Sequence, residues 1–327
     1  MNQRIEVIDG LRGIASLSVC WFHMTSRHPE GSLVRNSGLY GWLGVEIFFV
    51  ISGFIIPFAL YRGKYKLTHH WGTFILKRII RIDPPYLVAA VFAASLWYLS
   101  AMMPGFRGQP PNYSLPQLLL HFGYLNGIFG YPWIIPAFWT LAIEFQYYLL
   151  ISLTLPVLTS EKALYRYVGL ALLCAAAFIF PSSVLVFKYL CLFTLGIIGF
   201  LYFVQIISRT EFLVLELAAA ILLYLSLGGL ITTVGIITIL IINFIPFKKV
   251  KLFSFLGAIS YSLYVIHTPT GGRVINYGTR FVDNELQYFF LSVFAVLVSI
   301  GFAYALYFFV ERPAQKWSSK IKYKDNT

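Results

Sequence analysis

Residues 39–60 read LYGWLGVEIFFVISGFIIPFAL, a run of 22 residues with one charge, Glu46. A helix needs about 20 mostly apolar residues to cross a bilayer, so this run alone is long enough. Comparable runs recur near 8–25, 84–103, 137–158, 165–180, 184–206, 212–227, 229–246, 253–270 and 286–309. Together they predict an all-α, polytopic integral membrane protein with about ten transmembrane helices. Composition agrees. Hydrophobic residues make up 58% of the chain and charged residues 12%, the latter about half the share usual in soluble domains. These values exclude a disordered chain, a collagen-like repeat and a small disulfide scaffold.

The formal charge of +12 does not point to nucleic acid, because the basic residues stand singly or in short groups between apolar runs. They read instead as topology signals. One set of connections carries Arg4, YRGKYK (61–66), LKRIIR (76–81), Lys162, Arg166, Arg209, KKVK (248–251) and the lysine-rich end. The alternate set carries Arg27, Arg35, Arg107, Arg273 and Arg280, with far fewer lysines. The positive-inside rule then puts both termini in the cytoplasm. The N-terminus lacks the pattern of a cleavable signal peptide. Residues 1–317 read as one transmembrane unit and 318–327 as a polar cytoplasmic tail. The longest connection, 104–136, is rich in Gly, Pro and aromatics. It predicts a short interfacial helix at 115–127 inside a lid or groove wall. Cys20, Cys174 and Cys191 lie in apolar runs without zinc-ligand spacing, and no HExxH or Cys/His cluster occurs, so no metal site is expected.

Ionisable groups inside apolar runs are candidates for function. Arg12 and His23 are eleven residues apart, which places them within about 20° of one helix face and about 16 Å apart along the axis. Gly10 and Gly13 beside Arg12 permit a close helix contact, and Asp9 is placed to pair with Arg12 or cap the helix. Glu46, Glu144, His23 and His267 fall at similar depths in one half of the membrane, where they are expected to share a chamber. Arg12 shares the opposite level with Lys77, Arg78 and Arg81. Arg78 and Arg81 lie three apart on one face and form a candidate phosphate site. A positive mouth at one end and an imidazole–carboxylate set at the other suit a phosphorylated carrier whose reactive end is delivered through the membrane. Trp139 and His267 are candidate substrate-binding residues.

These stretches resemble acyltransferase family 3, the integral-membrane O-acyltransferases of bacteria that modify cell-surface glycans. RIEVIDGLRGIASLSVCWFH (4–23) is similar to the family's first signature, an arginine, ten residues, then a histidine. GWLGVEIFFVISGFIIP (41–57) and KRIIRIDPPY (77–86) resemble the second and third. PAFWTLAIEFQYY (136–148) resembles the fourth, with Thr140 in place of the usual serine and Phe145 in place of a second glutamate, so any acidic role there falls to Glu144. LGAISYSLYVIHTP (256–269) and FFVERP (308–313) resemble the closing segments. The resemblance covers nearly the whole chain in order. Some relatives carry a fused esterase-like domain, and none is expected here.

The resemblance implies transfer of an acyl group, most often acetyl from acetyl-CoA as co-substrate, to a hydroxyl of a surface glycan or its lipid-linked precursor, in the bacterial inner membrane. His23 would be the general base or an acyl relay, a task suited to an imidazole's near-neutral titration. Glu46 and Glu144 would orient or tune it, and Arg12, Arg78 and Arg81 would hold the CoA phosphates. The expected partners are acyl-CoA, the glycan acceptor and membrane lipids, with no nucleic acid and no bound cofactor. Composition alone fits a transporter or flippase equally well, but such folds carry inverted repeats, and none is evident. A scaffold protein in polysaccharide export is a second rival.

Overall fold

Backbone N–H and C=O groups in hydrocarbon have no water to bond, so a chain of this composition closes its hydrogen bonds within helices. The computed structural model describes residues 2–103, 106, 108–246 and 250–323, with side chains from residue 6. Arg107, Lys248, Lys249, the side chain of Arg4 and residues 324–327 of the expected tail lie outside the described residues. Among the described residues there are thirteen α-helices and no strand. They are α1 (Asn2–Thr25), α2 (Leu33–Gly38), α3 (Gly44–Arg62), α4 (Leu67–Ala101), α5 (Leu115–Leu120), α6 (Trp139–Leu158) and α7 (Ala163–Ile179). α8 (Leu190–Phe203), α9 (Arg209–Leu227), α10 (Gly229–Phe244), α11 (Lys251–Gly278), α12 (Glu285–Leu306) and α13 (Arg312–Lys320) follow.

Each expected run overlaps a helix. By length and composition, six helical stretches qualify as membrane spans: Leu33–Arg62, Leu67–Ala101, Pro136–Leu158, Val186–Phe203, Arg209–Leu227 and Glu285–Lys320. Helices α7 and α10 are apolar but shorter. The chain is therefore a multi-pass membrane protein. Helix α8 forms its centre: every residue from Leu190 to Leu201 is buried, as expected of a helix apolar all round. Helix α9 lies at the periphery and exposes Leu213, Val214, Leu217, Ile221 and Leu225, a face for lipid.

Small residues set the closest contacts, as is usual where lipid tails are as apolar as the side chains. A Cβ on Gly53 of α3 would lie 2.2 Å from the Phe193 carbonyl oxygen of α8, and one on Gly196 would lie 2.2 Å from the Val50 carbonyl. Helices α1 and α11 meet in the same way. A Cβ on Gly13 would come within 2.8 Å of the Leu256 Cβ, and one on Gly257 within 2.3 Å of the Asp9 carbonyl. These contacts bring the segment bearing Arg12 and His23 against the helix bearing Tyr261, Tyr264 and His267.

Several boundaries differ from expectation. The run expected to begin at 84 is the second half of α4, which passes through Pro84 and Pro85 without a break. Pro84 and Pro85 leave the Ile80 and Arg81 carbonyls without their i+4 donors, which a membrane helix tolerates where neighbouring protein covers it; one residue on, Tyr261 of α11 donates to the Ile82 carbonyl at 2.8 Å. Helix α11 likewise continues through Pro269 to Gly278. The interfacial helix expected over 115–127 ends at Leu120, with a 3-10 turn to Gly123, because Tyr124 turns the chain left-handed at φ 58°. Helix α12 passes at Tyr307 into a π-helical turn ending at Glu311. The boundary expected at 317 falls inside α13, and the residues after it pack on α4. Ser318 donates to the Lys77 carbonyl (2.8 Å), and Lys77 Nζ donates to the Ile321 carbonyl (2.6 Å).

Candidate active site

A cavity of about 170 Å³ opens between α1, α3, α4, α6 and α11, and three of its lining residues are Arg12, Arg78 and Arg81. They come from two helices. Arg12 is set by the Gly13–Gly257 contact of α1 with α11. Arg78 and Arg81 project from α4 shortly before its prolines. Arg78 is steadied between rings, its guanidinium carbon 5.1 Å from the Phe74 centroid and 5.2 Å from that of Tyr148. Arg81 keeps exposed surface although it lines the cavity, whereas Arg12 and Arg78 are half-buried. Among the described residues no carboxylate lies within 4.0 Å of any of the three guanidinium groups, and none of the three side chains makes a hydrogen bond.

The two salt bridges that do occur among the described residues, Arg35–Glu30 and Arg166–Glu211, lie elsewhere. Three like charges around one cavity repel one another, and a phosphate-type anion relieves that repulsion while satisfying their planar N–H donors. Lys77, expected at the same level, is instead engaged by the Ile321 carbonyl.

Two carboxylates also line this cavity. Glu144 Oε1 accepts from Ser52 Oγ at 2.9 Å and from Tyr148 OH at 2.5 Å. Glu311 Oε2 accepts from the Ser262 hydroxyl (2.6 Å) and backbone N–H (3.2 Å), while its Oε1 accepts from Gln315 at 2.8 Å. Glu144 was expected beside His23. It sits with the arginines, because successive turns of α6 direct Thr140, Glu144 and Tyr148 to the same face. Phe145, at the position of the absent second acid, stacks on Tyr124 with ring centroids 5.0 Å apart.

The imidazole pair lies beyond Tyr264. The Tyr264 side chain lines the cavity, and its hydroxyl shares a 2.7 Å hydrogen bond with Thr140. One turn further along α11, the His267 ring centroid is 6.0 Å from that of Tyr264 and 5.1 Å from that of His23. His267 is fully buried, and its Nδ1 lies 3.1 and 2.8 Å from the Leu263 and Tyr264 carbonyls. Carbonyls only accept, so Nδ1 carries the proton and Nε2 is left to accept from Thr268 at 3.2 Å. His23 is half-buried and so reachable. Among the described residues, no hydrogen bond joins it to Glu46 or Glu144. Glu46 is 5% exposed and its Oε2 has no hydrogen-bond partner. Its neighbours on α3 reach both tyrosines, Phe48 lying 5.8 Å from Tyr264 and Phe49 5.2 Å from Tyr189 between ring centroids.

Sequence reasoning missed Glu311, Tyr148, Tyr261 and Tyr264 as cavity residues. The signal for Glu311 was an acid ending an apolar run. Its direction is set by the π-helical turn, a feature frequent at functional sites that no residue pattern announced. Trp139 does not line the arginine cavity. It faces a second pocket and approaches the first through Phe49, 6.4 Å away between ring centroids.

Comparisons with known proteins bear on the chain as a whole. The family model described as an acyltransferase domain matches residues 5–308. A protein of Acidianus two-tailed virus named "Putative acetyltransferase ORF330" is 28% identical, with 80% of this chain and 81% of that protein covered. The peptidoglycan O-acetyltransferase OatA of Listeria monocytogenes is 24% identical, over 95% of this chain and 56% of its own length. "Putative peptidoglycan O-acetyltransferase YrhL" of Bacillus subtilis is 29% identical, over 54% of this chain and 28% of its own length. The chain thus spans most of the viral relative but little more than half of the Listeria protein. No solved structure matches. With a family match across almost its whole length, the chain belongs to acyltransferase family 3.

Proposed function

We propose that this protein moves an acyl group, acetyl foremost, from acyl-CoA to a hydroxyl of a cell-surface glycan or its lipid-linked precursor. The observation that carries this reading is the set of three guanidinium groups, unpaired by any described carboxylate, around one cavity whose far wall leads through Tyr264 to the His267–His23 pair. Arg12, Arg78 and Arg81 would grip the CoA phosphates at one end. His23, held against His267, would take the proton of the acceptor hydroxyl. The acceptor oxygen then bonds to the thioester carbonyl carbon, the C–S bond breaks, and the departing thiolate regains a proton from the imidazolium. Glu144 and Glu311 would moderate the positive charge of the cavity, and Glu46 would act on the Tyr264 side of the histidine pair.

Positive-inside patterning supports cytoplasmic termini and a cytoplasmic arginine mouth, in the inner membrane of a bacterial cell. The names of the Listeria and Bacillus relatives support a glycan acceptor. The test is transfer of radiolabelled acetyl from acetyl-CoA to cell-envelope glycan by the purified protein in lipid nanodiscs. His23→Ala is expected to lower transfer by about 10²–10⁴-fold, the usual range for a general base, while CoA still binds. Transfer at the parental rate in that variant would remove His23 from the mechanism. Failure of the parent protein to transfer acetyl would remove the proposed activity.

A further inference from the structure

A second pocket, of about 280 Å³, is lined by Tyr124, Gly127, Trp133, Trp139, Ser183 and Tyr189 among others. The proposed reaction does not use it. Its wall is shared with the arginine cavity through a single aromatic layer: Phe49 lines the first cavity and lies 6.4 Å from Trp139 and 5.2 Å from Tyr189 between ring centroids.

The pocket is built rather than left over. The loop that carries Gly127 and Trp133 is pinned from beneath by buried polar groups. Asn126 Nδ2 donates to the Gln117 carbonyl (3.0 Å), Gln117 Nε2 donates to the Pro132 carbonyl (3.0 Å), and the Ile134 N–H donates to His121 Nε2 (3.2 Å). His121 stands edge-on to Trp133 at 5.5 Å. The opposite wall is fixed by Gln146, which donates to the Val184 carbonyl (3.0 Å) and accepts from the Val186 N–H (2.9 Å). Tyr124 is anchored by its hydroxyl to Asp83 at 2.7 Å.

Its chemistry is amphipathic. Trp133 and Trp139 are half-buried, and among the described residues neither indole N–H has a hydrogen-bond partner or is buried, so both donors stay open to a ligand. Ser183 adds an exposed hydroxyl-bearing residue. Much of the wall comes from loops, and non-helical backbone in a membrane protein belongs where protein or water covers it rather than lipid. A lipid tail would leave the indole donors unused. A sugar ring meets every demand: its C–H face stacks on the electron-rich aromatic faces, and its equatorial hydroxyls accept from the indoles.

We propose that this aromatic pocket is a glycan subsite that holds a sugar ring of the acceptor chain, one aromatic layer from the arginine cavity. The inference rests on the reading of the protein as a glycan acyltransferase. A subsite that only holds the chain contributes uniform binding, and the signature of its loss is a raised KM for the acceptor with kcat in place.

The test reads sugar binding without donor. The protein in nanodiscs is examined by saturation-transfer NMR with chitotetraose, cellotetraose and maltotetraose. At least one is expected to bind, with contact to ring C–H protons, and Trp133→Ala to weaken it by about ten-fold or more, as losing one aromatic stacking contact and its donor would. Gly127→Leu closes the pocket by a different route, since a Cβ there has only ordinary contacts, 3.4 Å from Val184; it is expected to do the same. Acceptor KM should rise correspondingly in both variants. No binding of any tetrasaccharide to the parent protein, or unchanged binding and KM in both variants, overturns the subsite. So does occupancy by phospholipid alone. Sugar binding by a parent protein that transfers no acetyl would refute the proposed activity and leave the subsite standing; transfer with sugar binding and KM both unmoved in the two variants would do the reverse.

Discussion

At the residue scale, the arginine cavity is defined by what its guanidinium groups do not touch. Charge-assisted hydrogen bonds contribute about 1.5–3 kcal/mol each, so Arg78→Ala is expected to weaken CoA binding by roughly 10- to 150-fold. Arg78→Lys should restore only part of the loss, because an ammonium lacks the planar fork and stacks poorly between Phe74 and Tyr148. Calorimetric titration of CoA into the variants checks both; equal affinity in Arg78→Ala and the parent protein would count against the phosphate site. Glu144→Gln keeps an acceptor for Ser52 and Tyr148 but removes a negative charge from the cavity. It should bind CoA at least as tightly as the parent, and looser binding would show that the carboxylate acts otherwise. Arg12 was legible because a charge in an apolar run is costly unless used, and Arg78 and Arg81 because they lie three apart on one helix face at its level. The neighbours of Glu144 were not, since depth along a helix says nothing about which face meets which partner.

At the scale of elements, close helix contacts decide where these side chains arrive. Gly53 and Gly196 let α3 approach α8 so nearly that an added Cβ would fall 2.2 Å from a backbone oxygen on either side. Backbone cannot step aside as a flexible side chain can, so Gly53→Ala should destabilise the fold by about 1–3 kcal/mol or more, as overpacking does. Thermal unfolding in detergent, followed by the loss of monodisperse protein, measures it. Gly72→Ala in α4, where an added Cβ meets nothing within 4 Å, is the control that should keep stability or raise it by about 0.5–1 kcal/mol, as replacing a helix-interior glycine does. The apolar runs exposed these helices to reading because their lengths match the bilayer. The passage of α4 through Pro84 and Pro85 and the π-helical turn ending at Glu311 were hidden, because no residue pattern sets the partners they meet on α11: Tyr261 on the Ile82 carbonyl, and Ser262 on Glu311.

At the scale of the whole molecule, one bundle carries two chemically distinct ends. Arg12 and His23, about 16 Å apart on one helix, belong respectively to the arginine cavity and to an imidazole pair, with Tyr264 and His267 of α11 linking them. The second pocket would hold an acceptor on the far side of Phe49. Membrane class and the order of the helices could be read from the chain; the separation of the two pockets required the packing. The most direct measurement is a cryo-EM structure of the protein in nanodiscs with CoA bound. CoA phosphates are expected within hydrogen-bond distance of Arg12, Arg78 and Arg81, with the pantetheine arm running past Tyr264 toward the His23–His267 pair. CoA density outside this cavity, or phosphates placed away from all three arginines, would contradict the donor site.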